Sequence, residues 1–165
     1  MSSETNHKAI TKTVVTPAQL LDHWQGHRRL TRKTIEAFPE EKLLNHSIGG
    51  MRPFAIMIQE LLAIAGPGIE GLVTDKWQDY NEDLNLNSKK DLLKAWDTLT
   101  DKINNYWSKI PLEDFQKEIL AFGLYEGTVQ STILYFIDNE IHHRGQAYVY
   151  LRSLGIEPPM FWDKN

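Results

Sequence analysis

The residues best equipped for chemistry gather in one stretch, Asn139-Glu140-Ile141-His142-His143-Arg144-Gly145-Gln146. Two histidines, a carboxylate, a guanidinium and two amides sit together on a segment with helical patterning, Gly127 to Gly155. At about 100° per residue, Ile133, Leu134, Ile137, Ile141, Tyr148 and Leu151 form one apolar face. Phe136, Ala147 and Tyr150 form a second, and Asn139 and His143, four apart, lie on that second face. Adjacent histidines diverge by the same 100°, so His142 and His143 cannot serve one site: His142 is expected in water and His143 against protein. Glu140 and Arg144 stand four apart in the favourable order and fall near the Ile133/Ile137 stripe, where a buried ion pair would fix packing rather than act on a substrate. Gly145 and Gln146 would permit close approach of a neighbouring helix or subunit. A further chelating pattern, His-x-x-x-His, occurs once, at His23 and His27. It is read as one half-buried and one solvated imidazole, because so short a pattern recurs by chance.

A helix apolar on so much of its circumference must be central to its fold, and the rest of the chain supplies partners for it. Thr16, Pro17 and Gln19 mark a helix start with a capping box. Leu20, Trp24, His27, Thr31, Ile35 and Phe38 continue at helical spacing until Pro39. Pro53 opens a second helix with Phe54, Met57, Ile58, Leu61, Leu62 and Ala65 inward, which Gly66-Pro67-Gly68 is expected to break or kink. Residues 74–87 read as a polar loop anchored by Trp77 and Tyr80. Ser88 caps a third helix with the stripe Leu92, Trp96, Leu99, Ile103, Tyr106, Ile110, ended by Pro111. Residues 112–127 read as an extended loop or short hairpin, Thr128 caps the fourth helix, and Phe161-Trp162 are expected to tuck the tail back. The fold class expected is all-α, a four-helix bundle with a long crossover between helices two and three. Residues 1–14 are expected to form a flexible tail and 15–165 a single domain.

The bulk properties narrow the function. At 165 residues, 41% apolar and 24% charged, the chain has the make-up of a soluble globular domain with its own core. A net charge of −4 offers no basic footprint for nucleic acid. The absence of cysteine excludes disulfides, cysteine zinc sites and a cysteine nucleophile. No apolar signal core or run approaching 18 apolar residues is seen, so a cytoplasmic location without membrane attachment is expected.

Asn139 to Gln146, followed by Tyr150-Leu151-Arg152-Ser153-Leu154-Gly155, strongly resembles the last-helix signature of the DinB/YfiT-like superfamily. Gly50-Met51-Arg52-Pro53-Phe54 with Glu60-Leu61 resembles the start of that family's second helix. The resemblance implies an up-down-down-up bundle, often a homodimer, holding a divalent metal (zinc or nickel) by three histidines. One comes from helix two and two from a His-x-x-x-His in helix four. It also implies thiol-dependent transferases and isomerases among characterised relatives.

Carried over by position, the second helix-four ligand falls on His143, the first on Asn139, and the helix-two ligand on Glu60, with Gln59 beside it. An amide oxygen is a weak ligand for zinc or nickel. The favoured reading is therefore a dimeric bundle with a degenerate metal site, binding a small ligand or acting without catalysis, in which Glu60, Asn139 and His143 satisfy one another. The alternative is a divalent-metal-dependent thiol transferase or hydrolase. It would use Glu60 and His143 as ligands, Asn139 as a weak ligand or water-positioning group and His27 as an extra ligand, with Gln59, Glu140 and Arg144 lining the site.

Overall fold

The structure, a computed structural model, describes residues 14–165, so all of the N-terminal tail expected over 1–14 except Val14 lies outside the described residues. Four long helices carry the fold: α1 (Pro17–Ala37), α2 (Phe54–Thr74), α3 (Lys89–Trp107) and α4 (Val129–Ser153). Short 3-10 turns at Glu40–Lys42 and Leu112–Gln116 join them, together with a hairpin of strands β1 (Glu118–Ala121) and β2 (Tyr125–Thr128).

Local chemistry sets the boundaries. The Thr16 hydroxyl accepts from the Gln19 backbone while the Gln19 side chain accepts from the Thr16 backbone, completing the capping box. Ser88 and Thr128 cap α3 and α4 in the simpler way, accepting from Asp91 N and Ser131 N.

Cross-helix contacts fix the directions. Gln25–Asn104, Arg28–Thr100 and Arg32–Asp97 run in opposite senses, so α1 and α3 are antiparallel. Glu60 meets His143 and Gly68 meets Phe136, so α2 and α4 are antiparallel as well. Gly66 with Leu99 and then Glu70 with Lys102 make α2 and α3 parallel. Trp24 with Phe136 and then Thr31 with Glu140 make α1 and α4 parallel. The result is an up-down-down-up bundle in which each helix borders two others. The parallel α2–α3 pair requires the crossover 75–88. Gln59, buried in α2, holds that crossover by accepting from the backbone N–H of Leu84 and Leu86 (3.2 and 3.1 Å).

Three expectations need correction. The α2 helix does not break at Gly66-Pro67-Gly68 but runs through Pro67 to Thr74. The bare Gly68 surface receives the Phe136 ring and that of Gly71 receives Trp77, so packing replaces what the proline forgoes. The expectation that no stretch is apolar enough to span a bilayer fails on composition alone. Phe54–Thr74 has the length and a mean hydropathy of 1.4, yet 61% of that window is buried inside the bundle. The C-terminal tail is tied back, but not by its aromatic rings. Arg29 donates to the Lys164 carbonyl (2.7 Å) and Lys33 pairs with Asp163 (2.9 Å), while Phe161 and Trp162 remain exposed.

The two neighbouring glycines of α2 make opposite predictions. Alanine is favoured over glycine in a helix interior by about 1 kcal/mol. A Cβ on Gly66 would make an ordinary contact with Leu99 at 3.5 Å, so Gly66→Ala should raise stability by about 0.5–1 kcal/mol. On Gly68 it would stand 2.3 Å from Phe136 Cζ, so Gly68→Ala should cost about 1–3 kcal/mol through overpacking. Urea unfolding of the two variants checks the signs, and equal effects would contradict the packing described.

Candidate functional site

The angular division of α4 organises its polar residues. Residues seven apart differ by only about 20° on a helix, so Phe136, His143 and Tyr150 share one edge and all face α2 and the chain leading into it. Phe136 lies on Gly68, His143 meets Glu60, and the Tyr150 hydroxyl donates to the Arg52 carbonyl at 3.0 Å. Glu140 and Arg144 point about 60° and 100° away from His143, towards α1 and, through Arg28, α3.

The α1/α3 side contains a buried charge cluster. Glu140 is 2% exposed. It accepts from the Thr31 hydroxyl at 2.6 Å and lies 3.8 Å from Arg28 Nη1 and 3.7 Å from Arg144 Nη1. Arg28 is itself held by Thr100 Oγ1 and the Trp96 carbonyl (both 2.8 Å) and stacks over the Trp96 ring, whose N–H donates back to the Arg28 carbonyl. Burial pushes the Glu140 carboxyl up and the two guanidiniums down, Arg28 to about 10, and each partner opposes the shift of the other. With two guanidiniums and a hydroxyl on one carboxylate, the cluster is a structural tie between helices.

His27 belongs to that cluster. Its Nδ1 accepts from Arg144 Nη2 at 2.8 Å, and Nε2 faces Lys164 Nζ at 3.1 Å. Burial first, then the charges of Arg144 and Lys164, lower its pKa to about 3. Both ring nitrogens face cationic groups, which disfavours a metal ion as it does a proton. Its chain neighbour in the His-x-x-x-His, His23, is exposed.

The α2 side is the candidate site. His143 Nε2 lies 3.2 Å from Glu60 Oε1, and both residues are largely buried. The other oxygen of Glu60 is paired with Arg52, which also reaches Glu82 at 3.1 Å, and Glu82 in turn accepts from the Tyr80 hydroxyl at 2.8 Å. Burial lowers the His143 pKa to about 4, with His142 and Arg52 adding to the effect and only a Gln146 oxygen turned towards Nδ1 opposing it. A neutral His143 donates its Nε2–H to Glu60 and leaves Nδ1 as an acceptor. The Gln146 amide, 3.4 Å from Nδ1 and 2.9 Å from His142 Nε2, satisfies both rings when its NH2 faces His143 and its oxygen faces His142. Asn139, one turn before His143, is half-buried, and its Nδ2 has no hydrogen-bond partner among the described residues.

Not all the sequence-predicted lining residues meet here. Glu60 and His143 come together. Gln59 instead faces the crossover, Glu140 and Arg144 belong to the charge cluster between α1, α3 and α4, and His27 joins them, so none of these four lines the Glu60 site.

The donor set suits a divalent metal poorly. It offers one carboxylate and one imidazole, and a guanidinium already neutralises that carboxylate. Among the described residues no three His, Cys, Asp or Glu side chains converge as a metal-binding group.

A cleft of about 540 Å³, marked by no motif or spacing in the sequence, opens beside Glu60. Its walls are Glu60 and Ile64 of α2, Thr132, Tyr135 and Phe136 of α4, Tyr80 of the crossover, and Phe122, Tyr125 and Glu126 of the hairpin. Phe122 takes a left-handed backbone conformation, φ +54°, unusual for a bulky residue and strained by about 1 kcal/mol or more. It packs against Trp77, 5.1 Å between ring centres, and so turns a ring onto the cleft wall. Burial and the Glu82 carboxylate raise the Tyr80 hydroxyl to about 12, so it serves as a neutral donor.

The two depressed imidazoles make stability pH-dependent. In the unfolded chain each protonates near 6.5, but in the native state only near 3 (His27) or 4 (His143). Between those values the unfolded state binds more protons, so their contribution is full above about pH 6.5 and is lost as pH falls. Urea unfolding should show a loss on the order of 2 kcal/mol from each imidazole between pH 7 and 4.5. His143→Gln should flatten its share of that slope, and an unchanged pH profile in the variant would contradict a neutral buried His143.

Comparison with known proteins places the chain. The family model described as "DinB family" matches residues 1–163. A Bacillus subtilis (strain 168) protein, "Uncharacterized protein YjoA", is 25% identical over 154 residues, covering 83% of this chain and 90% of its own. The fold matches the crystal structure of a DinB-like protein from Bacillus cereus ATCC 10987 (TM-score 0.74, 18% identity). It also matches that of YjoA from Bacillus subtilis (TM-score 0.70, 21% identity). In both cases 88% of this chain and 97% of the other are covered. The capped four-helix chain with the Asn139–Gln146 signature at its centre belongs to the DinB family.

Proposed function

We propose that this DinB-family protein is a small-molecule-binding bundle that works without a resident metal, with the cleft beside Glu60 as its binding site. The observation that carries this reading is the state of Glu60. One oxygen is taken by Arg52 and the other by His143, a neutralised carboxylate that needs no metal for its charge. Two of the three histidines that the family resemblance implies stand here as Glu60 and Asn139, which leaves His143 as the one imidazole ligand and an amide as a weak one. The open walls, largely apolar with five aromatic rings among them, have the size and chemistry of a ligand pocket. In this reading Glu60 orients a polar group of the ligand, and Arg52 and His143 hold Glu60 in place.

Metal analysis of the full chain, purified without a histidine tag and incubated with zinc, nickel and manganese, tests the claim. Well under 0.1 equivalents of each metal (roughly, for a site short of ligands) is the expected result. Near-stoichiometric metal that disappears in His143→Ala would overturn it in favour of the metal-dependent transferase or hydrolase reading.

We further propose that the working form is a homodimer. Leu134 and Ile141 of α4 are 39% and 38% exposed, and with Phe161 and Trp162 they leave an apolar surface that a second copy would cover. Light scattering at micromolar concentration should give twice the chain mass, and a monomer mass would contradict this assembly.

A further inference from the structure

We infer that the ligand class of the cleft is an organic cation, a quaternary or protonated amine carrying an aromatic or aliphatic body. This inference rests on the small-molecule-binding reading and adds the charge of the ligand.

Three observations carry it. The first is the sign of the lining. Glu60 and Glu126 are its charged side chains, and no lysine, arginine or histidine lines the cleft. Counting the flanking Arg52 and Glu82 as well, three carboxylates face one guanidinium, leaving the neighbourhood at −2. An anionic ligand would meet net repulsion there.

The second is the nature of the walls. Tyr80, Phe122, Tyr125, Tyr135 and Phe136 present ring faces or edges around the same space, and a ring face attracts a cation through its quadrupole. Tyr125 and Tyr135 are 67% and 54% exposed, so their rings are open to a ligand in the cleft. Phe122 reaches the wall only through a left-handed backbone conformation, and bulky residues keep such a conformation where the surroundings require it.

The third is spare capacity at Glu60. A carboxylate offers about four acceptor positions; His143 and Arg52 take two. Arg52 retains Glu82 as a second anchor at 3.1 Å, so an incoming ammonium can share Glu60 without leaving a guanidinium unpaired. A primary or secondary amine would donate to Glu60, while a quaternary one would rest on the rings with its charge near the carboxylate.

Calorimetric titration of the full chain with three soluble probes of one body tests this: benzyltrimethylammonium, benzyl alcohol and phenylacetate. The cation should bind at least tenfold tighter than the alcohol, with phenylacetate weakest and the cation's affinity falling as salt is raised. Glu60→Gln should weaken the cation about tenfold and leave the alcohol unchanged. Because Glu60 is largely buried, the exposed Glu126→Gln and Tyr135→Leu serve as second variants, each weakening the cation selectively while the thermal unfolding midpoint stays at the wild-type value. Equal affinity for cation and alcohol, or preference for phenylacetate, would overturn the inference while leaving a binding cleft. Failure of all three probes to bind would overturn the small-molecule reading along with it.

Discussion

A carboxylate with almost no access to water cannot be left alone, and the bundle is arranged around that requirement. Glu140 sits in the middle of α4 with 2% exposure. An unpaired charge there would cost several kcal/mol. The partners that meet it come from α1 and from its own helix, Thr31 and Arg28 of α1 and Arg144 of α4, and Arg28 is braced in turn on Trp96 and Thr100 of α3. Three helices are thereby held in register by one group. An apolar core could be as stable, but it would not tie Arg28, Glu140 and Arg144 to single positions.

That tie also determines where chemistry is excluded. It absorbs His27, Glu140 and Arg144, which have the residue types of a functional site but stand in a cationic interior. The polar chemistry left to α4 is one helical edge away, where His143 meets Glu60 and Asn139 stands one turn earlier. There the ordering is reversed: a carboxylate of α2 faces a neutral imidazole and an external guanidinium, and the cleft beside it is open. The carboxylate–guanidinium groups around Glu140 and Glu60 thus have different consequences. One is sealed and structural, while the other retains unused acceptor capacity beside a 540 Å³ space.

Much of the framework was legible from the chain. Periodicity and caps located four helices because Thr16, Ser88 and Thr128 do at their N-termini what hydroxyl side chains do generally, and the 100° spacing separated His142 from His143. The Glu60–His143 pairing was reachable only through the family resemblance, since nothing in the α2 pattern marks Glu60 as special. The α2 helix surviving Pro67 was not legible, because it depends on rings from distant segments, Phe136 and Trp77, filling the glycine surfaces. Arg28 was hidden for a similar reason: an arginine on an amphipathic helix reads as solvated until its partners on α3 and α4 are known. The cleft was missed because its walls come from α2, α4, the crossover and the hairpin, and Tyr80, Phe122 and Tyr125 share no sequence spacing.

The central claim, a neutral His143 held by Glu60 with no metal, is open to direct reading by long-range proton–nitrogen NMR of the histidine rings in the full chain, with and without equimolar zinc. His143 at pH 7 should carry its proton on Nε2 with Nδ1 unprotonated, this state should persist to about pH 5, below the usual histidine value and above its native pKa of about 4, and zinc should leave both nitrogens unchanged. Loss of the Nε2 proton on adding zinc, or a doubly protonated ring at pH 7, would contradict it.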